Sequence, residues 1–192
     1  AEILGNKLDM FELNISCPNV KEGGMAFGTD AKMIEEITSK VKAVSKVPLI
    51  VKLSPNVTDI AEMAKAAEAG GADAISLINT LLGMKIDINT RRPVLNNNMG
   101  GMSGPAVMPV AVRMVYQVRR AVKLPIIGMG GITTGEDAVE FLLAGADAVS
   151  VGTAGIVDPY AWIKVRNGIN DYLDRHGYES VNDIVGKLEM NN

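Results

Sequence analysis

The chain has 192 residues, of which 47% are hydrophobic and 21% charged, a balance typical of a folded globular protein. Nineteen Lys and Arg against twenty-two Asp and Glu give a formal charge of −3 without a basic patch, so we expect no nucleic-acid partner. The single cysteine excludes an internal disulfide and indicates a reducing compartment, hence a cytoplasmic protein. No apolar run has the length of a membrane span, so we expect no membrane association.

Short apolar runs alternate along the chain with longer stretches of helical periodicity. The runs are nearly continuous in apolar residues, which is typical of parallel strands buried on both faces. They predict strands at Met10–Ile15, Leu49–Leu53, Ala74–Ile78, Ile126–Met129 and Ala148–Val151. Spacing and capping residues predict the helices between and after them: Asp30–Ser45, a helix capped by Thr58 and ending at Gly70, Pro105–Val122, Thr134–Gly145 with a capping box, Tyr160–Arg175 and Ser180–Leu188.

A weak internal repeat supports this division into βα units. The segment from Ala69 to Ser76 resembles the segment from Ala144 to Ser150, and both combine a helix stop, a turn and a strand start. Recurrent βα units predict parallel strands. Five strands fit either an open doubly wound sheet or part of a (β/α)8 barrel. The long segment Leu81–Met102 predicts a lid or a pair of short strands.

Glycine and polar residues gather where the predicted strands end. The pairs Gly130-Gly131 and Gly152-Thr153 are either a phosphate cradle or two tight βα turns. Lys52, inside an apolar strand, is either a surface lysine on an edge strand or a cation directed into a site.

Cys17 is the one thiol in the sequence. It is either a small buried hydrophobe or a reactive base in a loop that leaves the first strand. The one histidine, His176, is predicted near the end of a C-terminal helix, where a surface role is expected.

Asn14, Asn19, Asn79 and Thr80 supply neutral donors and acceptors at the same strand ends. Such a set suits a planar, hydrogen-bonding ring such as a pyrimidine or a flavin, although each Asn is also a common turn residue. With one Cys and one His, we expect no zinc or other metal site.

Six motifs follow one another in order over essentially the whole chain: Glu12–Asn19, Val51–Asn56, Ile78–Thr80, Gly100–Gly104, Gly128–Ile132 and Val151–Thr153. Together they resemble the dihydroorotate dehydrogenases, the flavin enzymes of pyrimidine synthesis. Cysteine at position 17 resembles the soluble class 1 enzymes. The segments around Lys52 and Gly100 look most like the class 1B, NAD-linked catalytic subunit.

The resemblance implies an FMN-binding (β/α)8 TIM barrel, of which this chain would hold about the last five βα units and the C-terminal helices. Residues 1–192 would then form a single FMN-binding barrel domain that is incomplete at its N-terminus. The implied activity is oxidation of dihydroorotate to orotate in de novo pyrimidine biosynthesis.

The resemblance also implies residue roles. Cys17 would be the general base for the proton on C5 of dihydroorotate, while the hydride on C6 passes to FMN. Lys52 would lie near the pyrimidine edge of the flavin and stabilise its negative charge. The residues implied to bind the substrate ring are Asn14, Asn19, Asn79 and Thr80. Those implied to bind FMN are Asn14, Lys52, Ile78 and Gly104, with Gly130, Gly131, Gly152 and Thr153 at its phosphate.

Class 1B resemblance further implies a homodimer of catalytic subunits and a partner subunit that carries FAD and a 2Fe–2S cluster and passes electrons to NAD. The single cysteine of this chain cannot ligate such a cluster alone. Two alternatives remain open at this point: the pyrimidine-reducing domain of a dihydropyrimidine dehydrogenase, and a non-catalytic phosphate-binding half-barrel. The combination of Cys17, Lys52 and Asn79 argues against a pure binder.

Overall fold

A computed structural model describes residues 7–16 and 27–191. Its centre is a parallel sheet in which five strands lie in the order β1, β2, β3, β8, β9. These strands span Phe11–Asn14 (β1), Leu49–Lys52 (β2), Ala74–Leu77 (β3), Ile126–Met129 (β8) and Ala148–Ser150 (β9). Each of the five predicted apolar runs therefore forms a strand of one sheet, which confirms the parallel α/β expectation.

Within the described residues, four helices connect these strands in sequence and two more follow β9 towards the C-terminus. Their bounds are Ala31–Val44 (α1), Ile60–Ala69 (α2), Met108–Ala121 (α3), Gly135–Ala144 (α4), Thr153–Val157 (α5) and Ala161–His176 (α6). A short 3₁₀ turn, Pro105–Val107, precedes α3. No helix in the described part of the chain is both long and apolar enough to cross a membrane.

The caps of two helices test the predictions directly. The expected cap of α2, Thr58, is wrong by one residue: the Asp59 carboxylate accepts the N–H groups of Ala61 and Glu62, at 2.8 and 3.3 Å. A carboxylate is the stronger acceptor of the two neighbouring candidates. The capping box of α4 is confirmed, since Thr134 and Asp137 bond each other's backbone N–H groups.

The helix predicted at Ser180–Leu188 is wrong, because only one 3₁₀ turn forms there, at Val181–Asp183. Gly186 adopts the left-handed conformation, with φ of 69°, and turns the chain away. Its N–H then donates to the carbonyl of Leu142 at 2.9 Å, and Leu188 N–H donates to that of Leu143 at 3.2 Å. Contacts with the end of α4 thus replace further helix in this segment.

The long segment after β3 folds into two short antiparallel ribbons, so the expectation of short strands is confirmed. Leu81–Gly83 (β4) pairs with Gly100–Met102 (β7), and Ile86–Asp87 (β5) pairs with Arg92–Pro93 (β6). The ribbons lead into the 3₁₀ turn and α3 at Gly104, whose φ is 92°.

The two faces of the central sheet differ in chemistry. One face packs on the helices through fully buried side chains such as Val51 and Ile75, and Phe141 of α4 belongs to the same core. Because side chains alternate along a strand, Lys52 lies on the other face, in register with Asn14 of β1 and Ser76 of β3. The apolar face stabilises the fold, and the polar face carries the side chains that could form a binding site.

Candidate functional site

A cavity of about 300 Å³ opens at the carboxyl ends of the central strands. Such a volume lies at the lower end of the range for small-molecule sites. The last residue of β2 and the segments that follow β3, β7, β8 and β9 all contribute to it. The predicted site residues that line it are Lys52, Ile78, Asn79, Thr80, Gly104, Gly130, Gly131, Gly152 and Thr153. The structure thus brings most of the predicted set together, while the role of each residue stays a prediction.

Two predicted residues, Cys17 and Asn19, lie outside the described residues. Asn14 does not line the cavity but is one hydrogen bond away from it. Asn79, which does line it, donates from Nδ2 to Asn14 Oδ1 at 3.2 Å and to Ser16 Oγ at 2.8 Å. Ser16 in turn donates from its N–H and Oγ to the same Asn14 oxygen, at 3.2 and 3.0 Å.

One polar group of this amide network, the Nδ2 group of Asn14, has no hydrogen-bond partner among the described residues. The Oδ1 of Asn79 accepts the Thr80 N–H at 2.7 Å, so both ends of the Asn79 amide are engaged. Within residues 7–16 and 27–191, the Nδ2 group of Asn14 has no partner, whereas its oxygen accepts three hydrogen bonds. Asn79 is therefore engaged at both ends of its amide, whereas no described residue accepts from the two N–H donors of Asn14.

Lys52 lies on a strand inside the sheet, with β1 on one side and β3 on the other, so the edge-strand alternative is wrong. Its side chain is 21% exposed. The nearest opposite charge is Glu12, with Lys52 Nζ 3.8 Å from Glu12 Oε1. That is an ion-pair distance and too long for a hydrogen bond. In the described part of the chain, no acceptor engages the Lys52 ammonium, which faces the cavity.

Glu12 and Ser76 were missed by the sequence analysis. Ser76, which is fully buried on β3, donates from Oγ to Glu12 Oε2 at 2.8 Å. The signal for Glu12 was present, because it is a charged residue two positions before Asn14 in an otherwise apolar strand. Its connection with Lys52 and Ser76 depends on strand register, which the sequence does not show.

The glycines of the cavity fall into two kinds. Gly130 and Gly131 have φ of 128° and 85°, a conformation that other residues rarely adopt. Gly152 has φ of −101°, and a Cβ added to it would meet no atom within 4 Å. Packing within the protein therefore does not require glycine at position 152. The open space beside it is cavity, which a side chain would partly fill.

Two sets of hydrogen bonds hold the segments around Gly130, Gly131 and Gly152 in place. Thr153 donates from Oγ1 to Ser103 Oγ at 2.8 Å, which connects the loop after β9 to the loop after β7. The carboxylate of Asp137 accepts the N–H groups of Thr133 and Thr134, both at 2.8 Å, and so holds the loop after β8. Burial alone would raise the pKa of Asp137, but hydrogen bonds from these two threonines outweigh it and lower the pKa below its ordinary value.

Metal ligands are not part of this arrangement. Among residues 7–16 and 27–191, no three His, Cys, Asp or Glu side chains form a group that could hold a metal ion. The described donors are an ammonium, amides, hydroxyls and backbone groups, which are suited to an anionic, planar organic ligand.

Comparison with known proteins gives a consistent result. A family model described as dihydroorotate dehydrogenase matches residues 1–173. A protein of Alkaliphilus oremlandii is 64% identical over 181 residues, which are 94% of this chain and 60% of that protein. A protein of Bacteroides fragilis is 60% identical over 192 residues, 99% of this chain and 63% of that protein. Both are named dihydroorotate dehydrogenase B (NAD(+)), catalytic subunit.

The chain therefore spans about 60% of the length of these curated relatives. A crystal structure of DHODH from Eimeria tenella, in complex with ferulenol, superposes with a TM-score of 0.81 at 24% identity. It covers 95% of this chain, and this chain covers 55% of it. This likeness concerns the fold, and it confirms the prediction that the parallel sheet and its helices correspond to part of a (β/α)8 barrel.

Proposed function

The chain belongs to the dihydroorotate dehydrogenase family, and from this premise we propose that the whole protein oxidises dihydroorotate to orotate with FMN as its cofactor. The observation that carries the proposal is the cavity at the carboxyl ends of the strands. It combines an ammonium that donates to no described residue, a network of amides and a glycine that opens onto empty space. This combination supports a flavin site better than a site for a neutral ligand.

The described residues fit FMN on two observations. The open space at Gly152, next to Gly130, Gly131 and Thr153, would admit a phosphate group close to the backbone. The Lys52 ammonium, at the opposite strand, would lie against the electron-poor pyrimidine end of the ring, where Ile78 and Gly104 provide backbone contacts. When bound, FMN supplies the hydride acceptor for C6 of the substrate.

The protein's own groups would do the rest of the chemistry. Lys52 would stabilise negative charge where it develops at the ring, because a fixed cation in a water-poor cavity is effective there. Asn14, Asn19, Asn79 and Thr80 would hold the substrate ring in one orientation. The Cys17 thiolate would accept the proton from C5 as the general base that the family resemblance implies. The proton and the hydride together account for the two hydrogens lost by dihydroorotate.

We also propose a homodimer of catalytic subunits and a partner subunit that carries FAD and a 2Fe–2S cluster and delivers electrons to NAD. Support comes from the names of the relatives, which contain NAD(+) and the words catalytic subunit. A cluster needs four protein ligands, usually cysteines, and this chain has one cysteine.

An anaerobic visible spectrum tests the proposal. We expect the purified whole protein to carry FMN and its flavin absorption to bleach when dihydroorotate is added. Bleaching should be slow in Cys17→Ala, which retains the flavin but lacks the base. A protein that binds no flavin, or a flavin that dihydroorotate does not bleach, would contradict the assignment.

A further inference from the structure

Glu12, Lys52 and Ser76 form a cluster across three neighbouring strands on the cavity face of the sheet. Lys52 pairs with Ser76 in strand register, and Glu12 lies two residues before Asn14, which is the register partner of Lys52. Glu12 Oε2 accepts the Ser76 Oγ hydrogen at 2.8 Å, and Glu12 Oε1 lies 3.8 Å from Lys52 Nζ. One carboxylate therefore connects a buried hydroxyl on β3 with the ammonium on β2.

The three residues of the cluster differ in how firmly they are held in place. Ser76 is fully buried, so its hydroxyl is a rigid anchor for one oxygen of the carboxylate. Lysine has a flexible four-carbon stem, and within the described ranges no other charged group restrains this one. The Glu12 side chain is 38% exposed, and among residues 7–16 and 27–191 it is the one opposite charge within ion-pair distance of the ammonium.

The long separation matters for function. At 3.8 Å the carboxylate attracts the ammonium without accepting a hydrogen bond from it, so no described residue takes any of its three N–H donors. A carboxylate in direct hydrogen-bond contact would compete with the ligand for these donors. The arrangement restrains the position of the charge and leaves its donors free.

We propose that Glu12 is a positioning residue, which Ser76 anchors and which holds the Lys52 ammonium against the cofactor. This inference rests on the proposed function, because it needs an anionic ring at Lys52. It adds to that function a residue that touches neither substrate nor cofactor and acts through Lys52 alone.

The test uses sulfite, which binds reversibly to oxidised flavins, bleaches them and adds negative charge at the ring. The dissociation constant of sulfite is measured by absorbance titration of the flavin-loaded whole protein, with Glu12→Gln compared with wild type. Positioning predicts weaker sulfite binding in Glu12→Gln by about tenfold, within the range of coupling between neighbouring side chains. If Glu12 only reduced the positive charge of the site, its removal would tighten sulfite binding instead.

A double-mutant cycle with Lys52→Met separates action through Lys52 from a general effect. We expect Glu12→Gln to change the sulfite constant in the wild-type background and to leave it unchanged in the Lys52→Met background. Glu140→Gln, a like change at an exposed position of α4, serves as the matched control and should behave as wild type. Equal effects of Glu12→Gln in both backgrounds would overturn the inference.

Failure of the inference and failure of the proposed function give different results. If wild type binds no flavin, or its flavin does not respond to dihydroorotate, the proposed function fails and this inference with it. If wild type behaves as expected and the dissociation constant of sulfite in Glu12→Gln is unchanged or lower, the positioning role alone is wrong. Should Glu12→Gln not fold, Glu12→Asp keeps the charge but withdraws it by one methylene; positioning predicts weaker sulfite binding, and an unchanged constant would overturn it.

Discussion

At Gly152, we expect the need for glycine to come from the ligand and not from packing within the protein. A Cβ at this position would touch no protein atom within 4 Å. A side chain here would therefore cost the folded protein little. It would instead enter the cavity beside Gly130 and Thr153.

We accordingly predict that Gly152→Ala weakens FMN binding about tenfold, since overpacking a tight contact costs roughly 1–3 kcal/mol. The free energy of unfolding of the flavin-free protein should change by no more than about 0.5 kcal/mol. Quenching of flavin fluorescence measures the affinity, and urea denaturation measures the stability.

Gly155→Ala is the matched control for this prediction. A Cβ at Gly155 likewise meets nothing within 4 Å, but Gly155 does not line the cavity. FMN affinity should be unchanged in this variant. Similar losses of affinity in both variants would show that position 152 has no special contact with the flavin.

At the scale of elements, the repeat seen in the sequence corresponds to a structural clamp that occurs twice. Asp73 precedes β3, accepts the N–H of Leu49 at the start of β2 at 2.7 Å, and pairs with Lys42 of α1. Asp147 precedes β9 and accepts the N–H of Ile126 at the start of β8, also at 2.7 Å. Its partner from the helix is Arg119 of α3. Each clamp joins two strands and a helix at the end of the sheet away from the cavity.

We expect Asp147→Ala to lower the free energy of unfolding by about 1–3 kcal/mol, because it leaves the N–H of a fully buried strand residue without its acceptor. FMN affinity should be unchanged, since the clamp lies at the amino ends of the strands. Urea denaturation measures the loss of stability, and flavin titration of the same sample measures the FMN affinity. A loss of flavin affinity with unchanged stability would contradict this account.

The capping box of α4 gives a prediction with a pH dependence. Asp137→Ala removes the carboxylate that holds Thr133 and Thr134, at an expected cost of about 0.5–2 kcal/mol at neutral pH. Because the folded-state pKa of Asp137 is lowered, its contribution is present above the unfolded-state pKa of about 3.9 and is lost as pH falls through the folded value.

The stability difference between wild type and Asp137→Ala should therefore shrink below about pH 4, as measured by urea denaturation at a series of pH values. Glu136→Ala, at the neighbouring position in the same turn, is the control. Glu136 makes one exposed ion pair with Arg175 at 3.8 Å, so its removal should have little effect. A difference that grows on acidification would contradict the lowered pKa.

These elements show what the sequence can and cannot predict. Strands β2 and β3 are apolar except for one residue each, Lys52 and Ser76, a local signal that leaves little choice of structure. The helix expected after Ser180 is wrong because Gly186 and contacts with the end of α4 decide that segment. Gathering of site residues at strand ends follows from parallel topology. The connection of Glu12 with Ser76 depends on register between strands 64 residues apart, which no local pattern contains.

At the scale of the whole molecule, the sheet ends on both sides in a strand with one unpaired edge among the described residues. The edge strands are β1 and β9. Apolar side chains near the second edge are strongly exposed, including Ile156 at 87% and Val157 at 81%. Unpaired edges and exposed apolar side chains favour association with other chains.

We therefore expect residues 1–192, produced alone, to self-associate in a concentration-dependent way, and a protein of the relatives' length to do so much less. Sedimentation velocity over a range of concentrations would measure this. Lysine substitutions at Ile156 and Val157 should reduce association of the short form without unfolding it. A short form that stays monomeric at all concentrations would contradict the prediction.

The separation of the sheet into an apolar face and a polar face has a consequence for how such a protein can change over evolutionary time. Positions such as Val51 and Ile75 contribute to core packing, whereas Lys52, one residue further along β2 than Val51, lines the cavity. Substitutions at cavity-lining positions would alter the ligand that the cavity accepts with little loss of core contacts. A scaffold of this kind can acquire a new specificity through few mutations, because binding and folding are encoded at alternating positions of the same strands.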